Sequence, residues 1–285
     1  MRPSLLTLVT VLVIGLFSAC SKIGKFNNPG ADVHLCNIEK FFLTNYDHTT
    51  GLPGAPVEYN ILYDAKGNPV EIKQAGTSTG YLSRFTFDKK GKMTVYRLDN
   101  FRSLTDSTII FIHHYYNAPD GRLIVDTVYN LPSPGFPIIP PFDKLVLDEK
   151  ERVIRDSGFY SRNPAILDDL VDYNYNANGN LASVIDEIFP TLNTTYPLYD
   201  DKVNYRQTNR AWQLIDKNYS WNNRLDPAGL YHITGYNAFG LPREIAYTPT
   251  PPDYNNVGVF LLYSPYIYNT LNFQYACDAP VSPGK

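Results

Sequence analysis

Gly76-Thr-Ser-Thr-Gly80 matches the G-x-S-x-G pattern that presents a nucleophilic serine at a sharp strand-to-helix turn. Strand-like residues flank the match on both sides, so Ser78 reads as part of a connector rather than as a nucleophile. His113 and His114 are adjacent in a β-rich run. Alternation sends their side chains to opposite faces, so the two cannot share one metal without a bulge. His34, His48 and His232 are scattered, and neither H-E-x-x-H nor a paired-cysteine ligand pattern occurs. No metal site and no cofactor is expected. Asp169 with Asp172, and Asp186 with Glu187, could be named as acid pairs, but nothing sets the separation that a glycosidase dyad needs. No catalytic residue is assigned on these grounds.

Binding chemistry is better represented. Tyr219, Trp221, Asn222 and Asn223 cluster, and an aromatic face beside side-chain amides can stack on a sugar ring and hydrogen-bond its hydroxyls. Tyr219, Trp221 and Asn222 are therefore a candidate ligand platform. The bland alternative is core packing, because most of the 23 tyrosines fall at strand positions expected to be internal. Charged residues make up only 19% of the chain, with no basic patch or charge run, which argues against a nucleic-acid partner.

These residues must be positioned by strands, because one hairpin motif recurs along most of the chain. It runs aromatic–Asp/Asn–x–x–Gly, then polar, then apolar. Copies begin at Tyr63, Phe87, Tyr116, Leu147, Tyr175, Tyr205 and Tyr236. The glycine slot holds Gly67, Gly91, Gly121, Glu151, Gly179, Asn209 and Gly240, spaced 24 to 31 residues apart. Before each turn apolar residues alternate, as in Ile61/Tyr63, Phe85/Phe87 and Tyr173/Tyr175, which marks one face of a strand. Asp or Asn opens a turn by accepting backbone hydrogen bonds. The slot glycine supplies the positive φ of a type I turn with a G1 bulge. Asn209 suits that region, whereas Glu151 implies strain or another turn. A two-stranded unit cannot bury its own apolar face, so the units must pair edge to edge.

The turns resemble YD repeats of the Rhs family through Tyr63-Asp-Ala-Lys-Gly67, Asp120-Gly-Arg-Leu123 and Tyr175-Asn-Ala-Asn-Gly-Asn-Leu181. Asn223-Arg-Leu-Asp-Pro-Ala-Gly-Leu-Tyr231 echoes the segment that closes the Rhs core, and the likeness covers residues 59–246. Rhs proteins form long spirals around a toxin; seven units cannot enclose one. The chain is more similar to small Bacteroidota lipoproteins of unknown function built from YD-like hairpins. That resemblance implies location and architecture rather than chemistry.

The N-terminus reads as a lipoprotein signal over residues 1–19. Arg2 precedes an apolar run from Leu5 to Phe17, far short of the ~20 residues a membrane span needs. Ser18-Ala19-Cys20 then resembles a lipobox with Phe17 at its usual leucine. Cleavage would leave Cys20 as the acylated N-terminus, a tether over 20–33 and one β domain over 34–285. Removing Arg2 with the leader leaves 24 basic against 28 acidic residues. Two further cysteines, Cys36 and Cys277, bracket the domain. In an oxidising compartment an even pair reads as a disulfide, the alternative being two free thiols. Ser21 after the acylated cysteine, and the lack of an acidic run, point to the outer membrane and a periplasm-facing domain.

Ile166–Val171 is the only helical turn expected. Proline makes the connectors 131–141 and 248–254 stiff; strands are expected at 257–263 and 266–275. The sequence thus predicts an all-β antiparallel meander of about sixteen strands built from seven repeated hairpins, curled or partly closed. Its expected role is a non-enzymatic envelope lipoprotein that binds or scaffolds, with the membrane as partner through its lipid and a glycan or envelope protein as ligand. The alternative is an envelope hydrolase whose site the sequence does not show.

Overall fold

The structure, a computed structural model, describes residues 36–44, 52–77, 79–101, 103, 106–130, 142–159, 166–188, 191–225, 231–247 and 270–278. The signal segment 1–19, Cys20, the tether, His34, His48, Ser78, both proline connectors and the strand expected at 257–263 lie outside the described residues.

The chain is all-β, with seventeen strands among the described residues. They are β1 (Ile38–Thr44), β2 (Val57–Tyr63), β3 (Pro69–Gln74), β4 (Gly80–Phe87), β5 (Met93–Phe101) and β6 (Ser107–Asn117). Next come β7 (Leu123–Asn130), β8 (Phe142–Leu147), β9 (Val153–Phe159), β10 (Asp169–Tyr175), β11 (Leu181–Ile188) and β12 (Thr191–Thr195). The last are β13 (Leu198–Val203), β14 (Asn222–Leu225), β15 (Tyr231–Tyr236), β16 (Pro242–Tyr247) and β17 (Thr270–Tyr275). Fifteen strands form one antiparallel sheet, in meander order from β12 down to β1 and then β17, β16 and β15. The sheet is open, with β12 and β15 as its edges. The C-terminal strands return to the free side of β1, where Phe41 pairs with Phe273. Cys36 and Cys277 are joined there by a disulfide with Cα atoms 4.8 Å apart.

Six of the seven motif copies are tight turns with a left-handed slot. Gly67, Gly91, Gly121, Gly179 and Gly240 have φ between 72° and 83°, and Glu151 has φ 58°. In the first copy the Asp64 amide donates to the Asn68 carbonyl and the Gly67 amide to the Asp64 carbonyl, while Asp64 Oδ1 accepts from the amides of Lys66 and Asn68. Asp88, Asp148, Asn176 and Asn237 repeat this pattern. The extra residue in the third copy moves the turn's opening amide to Ala118. Register shifts beside Tyr63, Phe87, Leu147 and Tyr175 mark the bulges. Because the sheet is a meander, all six turns lie at one end of it.

The sixth copy, at Tyr205, is not a hairpin. Tyr205–Thr208 is a 3₁₀ helix and Arg210–Ile215 an α-helix, α1. Asn209 is extended at φ −156°, and its Oδ1 caps α1 by accepting from the Ala211 amide. The motif's opening position holds Arg206, which cannot accept turn amides, so nothing there selects the turn. The helical turn expected at Ile166–Val171 is absent too: β10 begins at Asp169, paired with Gly158 of β9 and Ile188 of β11.

The segment 198–225, which opens on β13 and closes on its partner β14, forms a plug on the inner face of the sheet. Trp212 is fully buried and meets Phe85 edge-on at 5.8 Å, while Tyr205 packs on Phe273 at 5.0 Å. These contacts require strong curling. Asn209 bonds the β2–β3 turn at Gly67, and its neighbour Arg210 pairs with Glu151 of the β8–β9 turn. Those turns are six strand spacings apart, roughly 29 Å in a flat sheet.

Candidate functional site

Where the turns converge on the plug they leave a cavity of about 780 Å³. Its rim comes from four turns: Lys66 and Asn68, then Lys89 to Lys92, then Asn117, then Glu151. The plug supplies Gln207, Asn209 and Arg210, with Tyr219 and Trp221. Phe87, Met93, Ile124, Leu147 and Leu214 give it an apolar floor. This is a concavity with an apolar floor and a polar, largely cationic rim, and converging polar groups over an apolar floor are a feature of small-molecule sites.

The polar groups are held by local chemistry. Asn209 Nδ2 donates to the Gly67 carbonyl at 3.0 Å, and Asn117 Nδ2 to the Met93 carbonyl at 3.2 Å. Gln207 donates to the Ser220 carbonyl at 2.9 Å and accepts from Gln213 at 2.9 Å, which fixes the strand of plug carrying Tyr219 and Trp221. Burial alone would raise the Glu151 carboxyl. Hydrogen bonding and charge from Arg210, with Lys92 at 3.5 Å, outweigh it and hold the carboxyl below its usual range. Burial pushes the Tyr219 phenol well above its usual range, so it stays neutral.

Two of the three platform residues meet here. Tyr219 and Trp221 line the cavity, and Trp221 also lies 3.9 Å from where a side chain on Gly179 would begin. Asn222 is occupied elsewhere. Its Oδ1 accepts from Asn180 at 2.8 Å and its Nδ2 donates to the Lys202 carbonyl at 2.9 Å, tying plug to sheet. Asn223 is buried against Asp200. The rim lysines were not singled out by sequence reasoning. The available signal was Asp88-Lys-Lys-Gly-Lys92, a turn with three lysines. A second overlooked signal was Asn209 ahead of Ala-Trp-Gln-Leu-Ile, a capped helix start.

The residues weighed for catalysis stay apart. Gly76–Gly80 joins β3 to β4, and no helix follows it. His113 faces inward, its Nδ1 2.9 Å from the Asp126 carboxylate and its ring among Tyr96, Phe111 and Tyr115. His114 faces the other way, beside Tyr116 and Tyr129. Asp172 points outward to Arg155 at 2.6 Å, whereas Asp169 belongs to an inner row with Asp143, Asp156 and Asp186. Lys217 of the plug bridges Asp143 and Asp156. Asp186 and Glu187 are adjacent in β11 and so face opposite sides. Among the described residues no group of His, Cys, Asp and Glu side chains has metal-binding geometry, and no helix is long and apolar enough to cross a membrane.

No protein-family model matches the chain, and no curated protein matches it. Among solved structures it is similar to a porin-like protein from Bacteroides uniformis, at 9% identity over 84% of this chain and 96% of that one. The TM-score is 0.31, at which the likeness carries no argument about function.

Proposed function

We propose that this chain is a non-enzymatic envelope lipoprotein that binds a saccharide in the cavity between its turns and its plug. The observation that carries the reading is the lining of that cavity. Tyr219 and Trp221 stand beside the amides of Asn68, Asn117, Gln207 and Asn209, over an apolar floor. Aromatic rings supply apolar contact to the C–H faces of a sugar, and the side-chain oxygens of Asn68 and Asn117, whose nitrogens are already bonded to Asp64 and the Met93 carbonyl, can accept from its hydroxyls. Six turn-closed hairpins and the plug serve as scaffold, in the manner of the YD-like units that the sequence resembles. Cys20 anchors the domain through its acyl chains, each buried CH₂ adding ~0.8 kcal/mol, and the domain faces the periplasm from the outer membrane.

The test uses the mature lipoprotein purified in detergent and titrated with a panel of neutral and acidic oligosaccharides. Trp212 is sealed in the core, so a fluorescence change on binding reports Trp221. Trp221→Ala should weaken binding at least tenfold without altering the unfolding transition. Binding that is indifferent to Trp221 and Tyr219, or turnover of the saccharide, defeats this reading. Cys20→Ala should move the protein from the membrane fraction to the soluble periplasm.

A further inference from the structure

The cavity sits in an acidic protein and is itself basic. The whole chain carries a formal net charge of −3. The cavity is lined by Lys66, Lys89, Lys90, Lys92 and Arg210 against one carboxylate, Glu151. Resting on the binding reading above, we infer that the ligand is an anionic saccharide, one bearing carboxylate, sulfate or phosphate groups. Its charge would meet the lysines at the mouth while its ring lies toward Tyr219 and Trp221.

Three observations separate this from an ordinary solvated turn. First, curling brings cations from separate turns together instead of spreading them. The Lys66 ammonium lies 3.4 Å from the Lys89 carbonyl, and Lys92 sits by the β6–β7 turn, 3.3 Å from where a side chain on Gly121 would begin. Second, Glu151 is already engaged by Arg210 and Lys92, while among the described residues no carboxylate lies within 4.0 Å of the Lys66, Lys89 or Lys90 ammonium groups. Third, the nearby acids Asp64 and Asp88 direct Oδ1 at their own turn amides. They reduce the local potential without pairing these lysines. At physiological salt the Debye length is ~8 Å, so ammonium groups around one mouth act jointly on a charge held between them.

The experiment compares three acidic probes with their neutral counterparts on the detergent-solubilised lipoprotein. The pairs are oligogalacturonate and its methyl ester, a heparin oligosaccharide and its desulfated N-acetylated form with carboxyls reduced, and mannose 6-phosphate and mannose. At least one acidic probe should bind ten times or more tighter than its partner and weaken as salt rises from 50 to 300 mM. Lys89→Ala/Lys90→Ala should abolish that preference, and Lys89→Arg/Lys90→Arg should keep it. Unfolding midpoints for both variants should match the parent, since these side chains are exposed. Neutral probes that bind as well as acidic ones, with Trp221 dependence intact, overturn the charge inference and leave the saccharide reading standing. Acidic binding that persists in Trp221→Ala and depends only on the lysines overturns the saccharide reading in favour of plain anion attraction. Failure of every probe to bind counts against both.

Discussion

Asn209 Nδ2 donates to the carbonyl of Gly67 at 3.0 Å, across 142 residues of sequence. The bond joins the plug to the first turn of the sheet, and the same side chain caps α1 through Oδ1. One amide therefore sets where the plug begins and how the sheet curls to meet it.

Asn209→Ala removes both bonds, and the expected loss is roughly 1–2 kcal/mol of stability. Asn209→Asp keeps the cap but loses the donor to Gly67, so it should fall between Ala and the parent. Asn209→Gly should also destabilise, because φ is −156° and no left-handed residue is needed there. Urea midpoints followed through the buried Trp212 provide the measurement. A stabilised Asn209→Gly would restore the reading of this sixth copy as a hairpin.

Glu151 holds the left-handed slot that glycine fills elsewhere, at φ 58°. A non-glycine residue there costs roughly 1–2 kcal/mol of backbone energy. Against this stand half-exposed ion pairs to Arg210 and Lys92, worth about 0–1 kcal/mol. Glu151→Gly should therefore stabilise slightly, by roughly 0.5–1 kcal/mol. Arg210→Ala should have less effect in the Glu151→Gly background than in the parent. Equal effects in both would show that the Glu151–Arg210 pair does not hold the turn to the plug.

Much of the sheet was legible in the sequence because a turn is a local event. Asp64-Ala-Lys-Gly67 contains its own acceptor and its own left-handed residue, so four letters determine its backbone. The plug was not legible for the opposite reason. Tyr205-Arg-Gln-Thr-Asn209 carries the aromatic residue and the spacing of a sixth motif copy, but Arg206 has no acceptor for the turn amides, while Asn209 and Ala-Trp-Gln-Leu-Ile specify a capped helix. The cavity was legible in part. Tyr219 and Trp221 stood out by type, whereas Lys66, Lys89 and Lys90 gain significance only when curling assembles separate turns.

The disulfide between Cys36 and Cys277 closes a loop of 241 residues and fixes β1 beside β17. Chain-entropy reasoning puts its stabilisation at roughly 5.5 kcal/mol, an upper value because native strain reduces it. The Cys36→Ser/Cys277→Ser variant should unfold at a clearly lower urea concentration, and reductant should shift the parent in the same direction. Identical midpoints with and without reductant would show that the paired strands hold the termini unaided.

Lys217 occupies the position after the helix cap where glycine is usual, at φ 49°. Its amide donates to the Leu214 carbonyl and that of Asn218 to Gln213, the paired bonds of a Schellman ending. The backbone cost is compensated by its ammonium, which reaches Asp143 at 3.1 Å and also Asp156. Burial, opposed by Lys217 and reinforced by the charges of Asp143 and Asp169, pushes the Asp156 carboxyl up to about 6. A carboxyl raised on folding binds its proton more tightly in the native state, so its contribution is favourable at low pH and is lost as pH rises through about 6. Lys217→Gly should relieve the backbone by roughly 1 kcal/mol but leave two buried carboxylates without their cation, a loss of roughly 3–5 kcal/mol. At pH 7.5 the variant should be clearly less stable than the parent. At pH 4.5 protonation of Asp156 removes its share of the penalty, and the gap between the two should narrow. Lys217→Met, which keeps the strain and loses the charge, should be worse than Gly at both pH values. A penalty for Lys217→Gly that stays constant from pH 4.5 to 7.5 would mean that Lys217 acts through packing rather than as the counter-ion of the inner aspartates.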